Sequence, residues 1–409
     1  MIRLLQGDVG SGKTVVALLS ILISIDNNYQ SCLVAPTEIL AFQHFKNFKD
    51  KFENLGLVVK VLTGSTKSSD RKILLNDLKN GSINLLIGTH AIFEQNVIFN
   101  NLGYAVIDEQ HRFGVKQRSK IWEKNNPPPH VLIMTATPIP RTLTMSLYGD
   151  LDLSIIDELP PGRKDVITVH RKDKNRLKVF GFIRDQIKQG RQIYIVYPLI
   201  EESKKMDLKY LEDGLESITR EFDKENYSIG VMHGRMRSSN KDIEMNNFLN
   251  GKIDILISTT VIEVGVNVPN ASVMIIENAE RFGLSQLHQL RGRVGRGKYD
   301  SYCVLMTNDK ISEDAKIRID AMVNSNDGFK ISEVDLRLRG PGDVLGTKQS
   351  GVLDFKIADI IEDESILFSV SNEADLLIKK DPKLNLNENY NIRSFILNNP
   401  INKSWNEIG

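Results

Sequence analysis

Short apolar runs alternate with stretches of helical period along the whole chain, a pattern that predicts βα units and parallel sheets. In the first part the predicted strands are residues 2–5 (IRLL), 31–36 (SCLVAP), 57–64 (LVVKVLTG), 83–89 (INLLIGT), 104–109 (YAVIDE) and 130–137 (HVLIMTAT). Most end on a polar residue or glycine, where an open doubly wound sheet places its ligands. Residues 157–165 (DELPPGRKD) interrupt the alternation, and their paired prolines and glycine suit a linker. The pattern resumes with 191–198 (RQIYIVYP), 227–234 (YSIGVMHG), 253–259 (IDILIST), 271–279 (ASVMIIENA) and 301–307 (SYCVLMT). These predict an α/β domain over 1–156, the linker, a second α/β domain over 166–310, and a C-terminal part over 311–409. In that last part residues 312–328 read as a helix ending in a turn, 336–351 (LRLRGPGDVLGTKQSG) are glycine-rich, and the polar stretch 379–391 is expected to be loosely ordered. No short internal repeat stands out along the chain.

Composition narrows the class without choosing a partner. Of 409 residues, 41% are hydrophobic and 26% charged, as in ordinary globular proteins. Lys plus Arg (53) nearly balance Asp plus Glu (52), so any nucleic-acid surface must arise from local segregation of charge. Cys32 and Cys303 lie in separate apolar runs, which rules out a disulfide framework or a zinc cluster and points to a reducing cytosol. Residues 15–25 (VVALLSILISI) imitate a secretory signal, but no small-residue cleavage pattern follows, and the run is too short to span a bilayer.

The sharpest motif is GDVGSGKT at 7–14, which follows a predicted strand and opens a predicted helix. Gly7, Gly10, Ser11 and Gly12 let backbone N–H groups turn onto phosphates, Lys13 adds a full charge, and Thr14 can ligate Mg²⁺. A bare glycine-rich turn would not need those flanks. A nucleotide site also needs an acid for the metal and a group to orient water. Asp108 and Glu109, at the end of the strand 104–109, are the candidates for those two roles. In the second domain, QLHQLRGRVGRG (286–297) sets Arg291, Arg293 and Arg296 among glycines that allow close approach to a partner. A solvated basic turn would explain the charge but not its place after a strand of a second domain. Arginines reaching a γ-phosphate from there would make hydrolysis depend on closure of the cleft between domains.

Taken in order, GDVGSGKT, APTEILAFQH (35–44), LTGS (62–65), IGTHAIF (87–93), DEQHRFGVKQR (108–118), MTATPIPRTL (134–143), STTVIEVGVNVPNA (258–271) and QLHQLRGRVGRG resemble the motif set of superfamily 2 helicases. The chain is most similar to the RecG family of ATP-dependent DNA helicases, which remodel stalled forks and branched DNA. The transcription-repair coupling translocase shares RFGV (112–115) and TATPIPRTL (135–143), but 149–163 (GDLDLSIIDELPPGR) is closer to RecG. The primosomal helicase would require a zinc insertion that two cysteines cannot supply.

The resemblance implies two tandem RecA-like domains followed by a helical hairpin and translocation segment, with ATP and Mg²⁺ as cofactors. It implies ATP contacts from Gly7, Gly10, Ser11, Gly12, Lys13 and Thr14, with Thr14 and Asp108 holding Mg²⁺ and Glu109 positioning water. Arg293 and Arg296 would be the arginine fingers, while Gly265, Asn267 and Gln289 would sense nucleotide or couple it to DNA. Pro36, Thr37, Glu38, Thr63, Gly64, Thr89 and His90 would line a DNA track, with Thr135 and Thr137 coupling it to the phosphate site. Arg337, Arg339 and Gln349 would belong to the translocation motif. The implied partner is duplex or branched DNA, read without sequence preference, and a single-strand-binding protein; the motor would be a cytosolic monomer that does not use a membrane. Family members carry a wedge domain and an adenine-recognising segment ahead of the phosphate loop, so the chain is expected to be a motor portion. A non-catalytic DNA-binding remnant is the alternative of a different class.

Overall fold

The computed structural model describes residues 1–109, 121–122, 124–135, 152–160, 163–198, 214–222, 226–259, 268–339 and 363–398. Gly265, Asn267, Thr137 and Gln349, and the side chain of Arg339, lie outside this description. Two parallel sheets organise the chain. The first takes β1 (Ile2–Gly7), β2 (Gln30–Val34), β3 (Val59–Leu62), β4 (Leu85–Gly88), β5 (Leu102–Asp108), β6 (His130–Thr135) and β7 (Asp152–Ile156), in the spatial order β3-β4-β2-β5-β6-β1-β7. The second takes β8 (Val166–Lys172), β9 (Gln192–Val196), β10 (Ile229–Met232), β11 (Ile255–Ser258), β12 (Ala271–Ile276) and β13 (Ser301–Thr307), in the order β10-β11-β9-β12-β13-β8. Central strands such as β2 and β12 are buried at every position, as parallel strands covered on both faces must be.

Helices cover both faces of each sheet. On the first, α1 (Lys13–Asp26) and α2 (Glu38–Glu53) bury Ala17, Ile21, Leu40, Phe48 and Phe52 on one face, while α3 (Ser68–Lys79) places Leu74 and Leu78 on the other. The run that imitated a signal peptide is therefore α1, a helix with one buried face that leaves Val15, Leu19 and Ile23 exposed. On the second sheet, α4 (Arg176–Lys188) packs Val179, Phe180 and Ile183 against one face. The other face receives Met245 and Phe248 from α5 (Ser238–Leu249), Leu284, Leu287 and Leu290 from α6 (Leu284–Arg291), Ile319 and Met322 from α7 (Glu313–Asn324), and Ile331 from α8 (Gly328–Arg339). Ile39 of α2 also packs against this second core, so apolar contact joins the two halves.

Three expectations need correcting. Strands β7 and β8 escaped the sequence pattern because each is a sheet edge, where one side needs no apolar cover and polar residues such as Ser154, His170 and Arg171 are tolerated. The polar stretch 379–391 is ordered locally: the Asp381 carboxylate accepts from the backbone N–H of Asn385 (3.0 Å) and Leu386 (2.8 Å) and from Asn389 Nδ2 (2.8 Å). It leads from α9 (Glu364–Lys380) into α10 (Tyr390–Asn398).

The third correction concerns internal repetition, which is present. The two sheets share one strand order, apart from the additional β7. Residues 61–89 and 231–259 correspond position by position, with 12 of 29 residues identical, including Gly64 and Gly234, Gly81 and Gly251, and Thr89 and Thr259. The match hides because the repeated positions are scattered and set by packing and turns. Among the described residues, no helix is long and apolar enough to cross a membrane.

Candidate nucleotide site between the two sheets

The phosphate loop leaves β1 and enters α1, whose N-cap Gly12 has φ 101°, a left-handed conformation that favours glycine. The Ser11 hydroxyl is buried without a hydrogen-bond partner. Lys13 is buried, and its ammonium donates to the carbonyls of Gly7 (2.8 Å) and Asp8 (2.8 Å). Burial pushes this ammonium below its ordinary pKa, and the carboxylates of Glu109, Asp108 and Asp8 partly restore it. Thr14 is half-buried in the first turn of α1.

The sheet order brings the acids to this loop. Asp108 pairs with Met134 across β5 and β6, and Thr135 pairs with Gln6 across β6 and β1, so Asp108, Thr135 and the phosphate loop share one edge. Asp108 Oδ2 lies 3.2 Å from His44 Nε2 of α2, a partner the sequence reading missed. Glu109 takes φ 52°, the left-handed region, immediately past the strand end. That turn aims the second carboxylate differently from the first, at a cost a non-glycine residue bears only where surrounding structure enforces it.

Further along the same edge stand the three segments expected to line a track. They follow β2 (Pro36–Glu38), β3 (Thr63, Gly64) and β4 (Thr89, His90), which are neighbours in the sheet. Thr37 caps α2 by accepting from Leu40 N–H (3.4 Å). The Glu38 carboxylate accepts from Ser65 N–H (3.1 Å) and Ser65 Oγ (2.7 Å), and Thr89 N–H donates to the Leu62 carbonyl (3.2 Å). Thr63 is buried and hydrogen-bonded to Ser65, whereas His90 is exposed.

From the second sheet, α6 and the turn after it lie against the phosphate loop. A Cβ placed on Gly292 would stand 2.8 Å from Val9 Cβ, so only glycine permits this approach. His288 Nε2 lies 2.6 Å from Asp8 Oδ1, and Arg163 of the linker donates to the Val9 carbonyl. Burial alone would raise the Asp8 carboxyl; hydrogen bonds from His288 and Val9 N–H and the nearby Arg291 bring it below the ordinary value. Arg293 is buried, Gln289 is half-buried, and Arg296 Nε donates to the Gly292 carbonyl (3.0 Å). Burial, then the like charges of Arg293 and Arg163, hold Arg296 down to about 9.

The grouping of Arg291 with the other arginines is corrected. Arg291 is buried and donates to the carbonyls of Met322 (2.9 Å) and Ser325 (2.7 Å), holding the end of α7 and not the phosphate loop. Arg337 stands exposed on α8. Asp8, His44, Arg163 and His288 carry no spacing signal, because their meaning comes from distant segments meeting.

Comparison with known proteins agrees with this geometry. Residues 3–146 match the DEAD/DEAH box helicase family, 175–298 the helicase conserved C-terminal domain, and 325–399 the C-terminal part of domain 3 of the ATP-dependent DNA helicase RecG. The chain is 52% identical to the ATP-dependent DNA helicase RecG of Synechocystis sp. over 96% of its own length and 47% of the relative. It is 49% identical to that of Bacillus subtilis over 93% of its length and 55% of the relative. A solved structure of RecG bound to a three-way DNA junction superposes with a TM-score of 0.74 at 44% identity, covering 89% of this chain and 47% of that one. The chain thus spans about half the length of the curated relatives it matches. Across that half, the matched segments run in one order through both sheets and the C-terminal helices, and the chain belongs to the RecG family of ATP-dependent DNA helicases.

Proposed function

We propose that this chain is an ATP-driven DNA motor that hydrolyses ATP in the cleft between its two sheets and moves along duplex or branched DNA. The observation that carries the reading is the meeting at one loop of Lys13, Asp108 and Glu109 from the first sheet and the Arg293–Arg296 turn from the second. On this reading the domains divide at 1–156, 157–165, 166–310 and 311–409, as the pattern of the chain predicts.

The donor set suits a nucleotide and Mg²⁺: the Ser11 hydroxyl is a buried donor without a partner, and Thr14 and Asp108 are hard oxygen ligands. Bound Mg²⁺ would neutralise charge on the β- and γ-phosphates. Lys13 and the loop N–H groups hold the phosphates, Glu109 orients or deprotonates the attacking water, and Arg293 and Arg296 face the charge that develops on the γ-phosphoryl group. Gly265 and Asn267, with Gln289, act as nucleotide sensors in this scheme.

DNA is taken by the aligned loops after β2, β3 and β4 (Pro36, Thr37, Glu38, Thr63, Gly64, Thr89, His90), whose contacts go to phosphates and carry no sequence. Thr135 and Thr137 link that edge to the phosphate site, and Arg337, Arg339 and Gln349 form the translocation motif. The expected result is ATP hydrolysis that rises on addition of duplex or branched DNA and is lost in Lys13→Ala. Hydrolysis no faster than that variant's under every DNA condition would make the chain a DNA-binding remnant instead.

A further inference from the structure

His288 lies outside every role assigned above, yet it is buried and both of its ring nitrogens are engaged. Its Nδ1 stands 3.0 Å from Arg291 Nη2. A guanidinium can only donate, so Nδ1 must accept, and the ring proton is left on Nε2, where it donates to Asp8 Oδ1 at 2.6 Å. Arg291 in turn donates through Nη1 to the last carbonyls of α7, Met322 (2.9 Å) and Ser325 (2.7 Å), groups that no intrahelical donor can satisfy. A continuous set of hydrogen bonds therefore joins the phosphate loop, through His288 and Arg291 of α6, to the end of α7, with Arg291 donating in both directions. α8 is fixed to α6, since Ser285 Oγ donates to Asp335 Oδ2 of α8 at 2.8 Å.

The other end of this chain is set by the phosphate loop itself. Asp8 holds the loop in two further ways: its side chain accepts from Val9 N–H at 2.6 Å, and its carbonyl accepts from Lys13 Nζ at 2.8 Å. Any rearrangement of the loop that moves Lys13 or the Val9 peptide moves the carboxylate to which His288 is attached. Because the buried ring is bonded at both nitrogens, a shift of the Asp8 carboxylate either breaks one bond or carries the ring and Arg291 with it.

We propose that His288 is a positioning residue that ties the conformation of the phosphate loop to the α7–α8 pair, so that nucleotide binding is transmitted to the C-terminal helices through its two ring nitrogens. This rests on the reading of the loop as a nucleotide site. It differs from the role of the arginine turn, which acts on the phosphates themselves.

The test uses the full chain with ADP and Mg²⁺, measuring ADP affinity by titration and backbone hydrogen exchange over residues 320–339 with and without nucleotide. Wild type should bind ADP and change its exchange in that segment. Two half-mimics separate the contacts: His288→Gln keeps a donor for Asp8, and His288→Asn keeps an acceptor for Arg291. In both, and in His288→Ala, ADP should still bind, while the nucleotide-induced change in exchange should fall by about fivefold or more. Wild-type binding with no change in exchange, or an undiminished change in the variants, would overturn the proposal. Failure of wild type to bind ADP would instead overturn the nucleotide reading. Should His288→Ala fail to fold, the two half-mimics still decide the question.

Discussion

The two sheets are copies of one topology that have diverged in chemistry, and the comparison locates where function resides. In each, a glutamine opens the strand after the first helix: Gln30 Nε2 donates to the Leu78 and Ile83 carbonyls, and Gln192 Nε2 to those of Phe248 and Ile253. In each, an acid stands at or just past the end of the strand paired with that one and is followed by a left-handed residue, Asp108 and Glu109 (φ 52°) in the first and Glu277 and Asn278 (φ 49°) in the second. The helix after the first strand opens with a cation in both, Lys13 and Arg176.

The difference lies in what these cations and acids do. Arg176 grips Glu277 through two parallel bonds of 2.7 and 2.9 Å, a fork that uses the acid on its own neighbour. Burial acts against that guanidinium, but Glu277 and Asp173 outweigh it and raise its pKa. Lys13 instead bonds carbonyl oxygens, with its carboxylates near but not paired to it, and a loop of residues 8–12 replaces the short turn 173–175. The scaffold was kept twice, but in the first copy the strand-end acid Asp108 meets His44 and not the cation that opens the helix, and the loop 8–12 takes the place of the turn.

The largest expected effect distinguishes the two acid positions. Glu109→Gln should lower kcat for ATP hydrolysis by about 10²–10⁴-fold with little change in ADP affinity, as loss of a general base does. Arg176→Ala should leave ADP affinity unchanged in titration. It should lower stability by about 2–3 kcal/mol in denaturant unfolding, less than for a fully buried pair because Arg176 is 30% exposed. A loss of ADP binding in Arg176→Ala would show that the second copy still serves the nucleotide.

The duplicated glutamines give a finer comparison. Gln30 also accepts from Asn100 N–H (2.7 Å) and Asn101 N–H (3.0 Å), where Gln192 accepts a longer bond from Asn270 Nδ2 (3.4 Å). Gln30→Ala should therefore cost about 2–4 kcal/mol and Gln192→Ala about 1–3 kcal/mol, measured by the same unfolding assay. Equal costs would mean that the extra bonds contribute nothing.

The smallest effect is a pH dependence at Asp8 of the first copy. Asp8 has a folded pKa below its ordinary value of 3.8, so its contribution is present above that value and is lost as pH falls through the lower folded pKa. Asp8→Asn should flatten the melting temperature against pH below about pH 4. An unchanged profile would show that the carboxylate is not held by His288 and Val9.

Particular elements show how far the sequence carries. The phosphate loop, the acids at 108–109 and the arginine turn were legible because their chemistry needs fixed spacing within one segment. The positions of most strands were legible because buried parallel strands must be apolar. Edge strands β7 and β8 were not, and neither was the repeat of 61–89 in 231–259, since shared packing constrains volume and turn geometry more than residue identity. Arg291 was misread because charge among glycines looks alike whether it meets a ligand or the carbonyls at a helix end.

The sequence by itself determined that the chain alternates βα units and carries a phosphate loop, an acid pair and a basic turn, because each is a local pattern imposed by backbone geometry or by one reacting group. Tertiary structure alone decided that Asp8 meets His288 and Arg163, that Arg291 reaches α7, and that Arg176 is spent on Glu277. Those contacts join segments separated by 101 to 280 positions in the cases of Arg176 and His288, and no local pattern records which distant partner a buried charge will find.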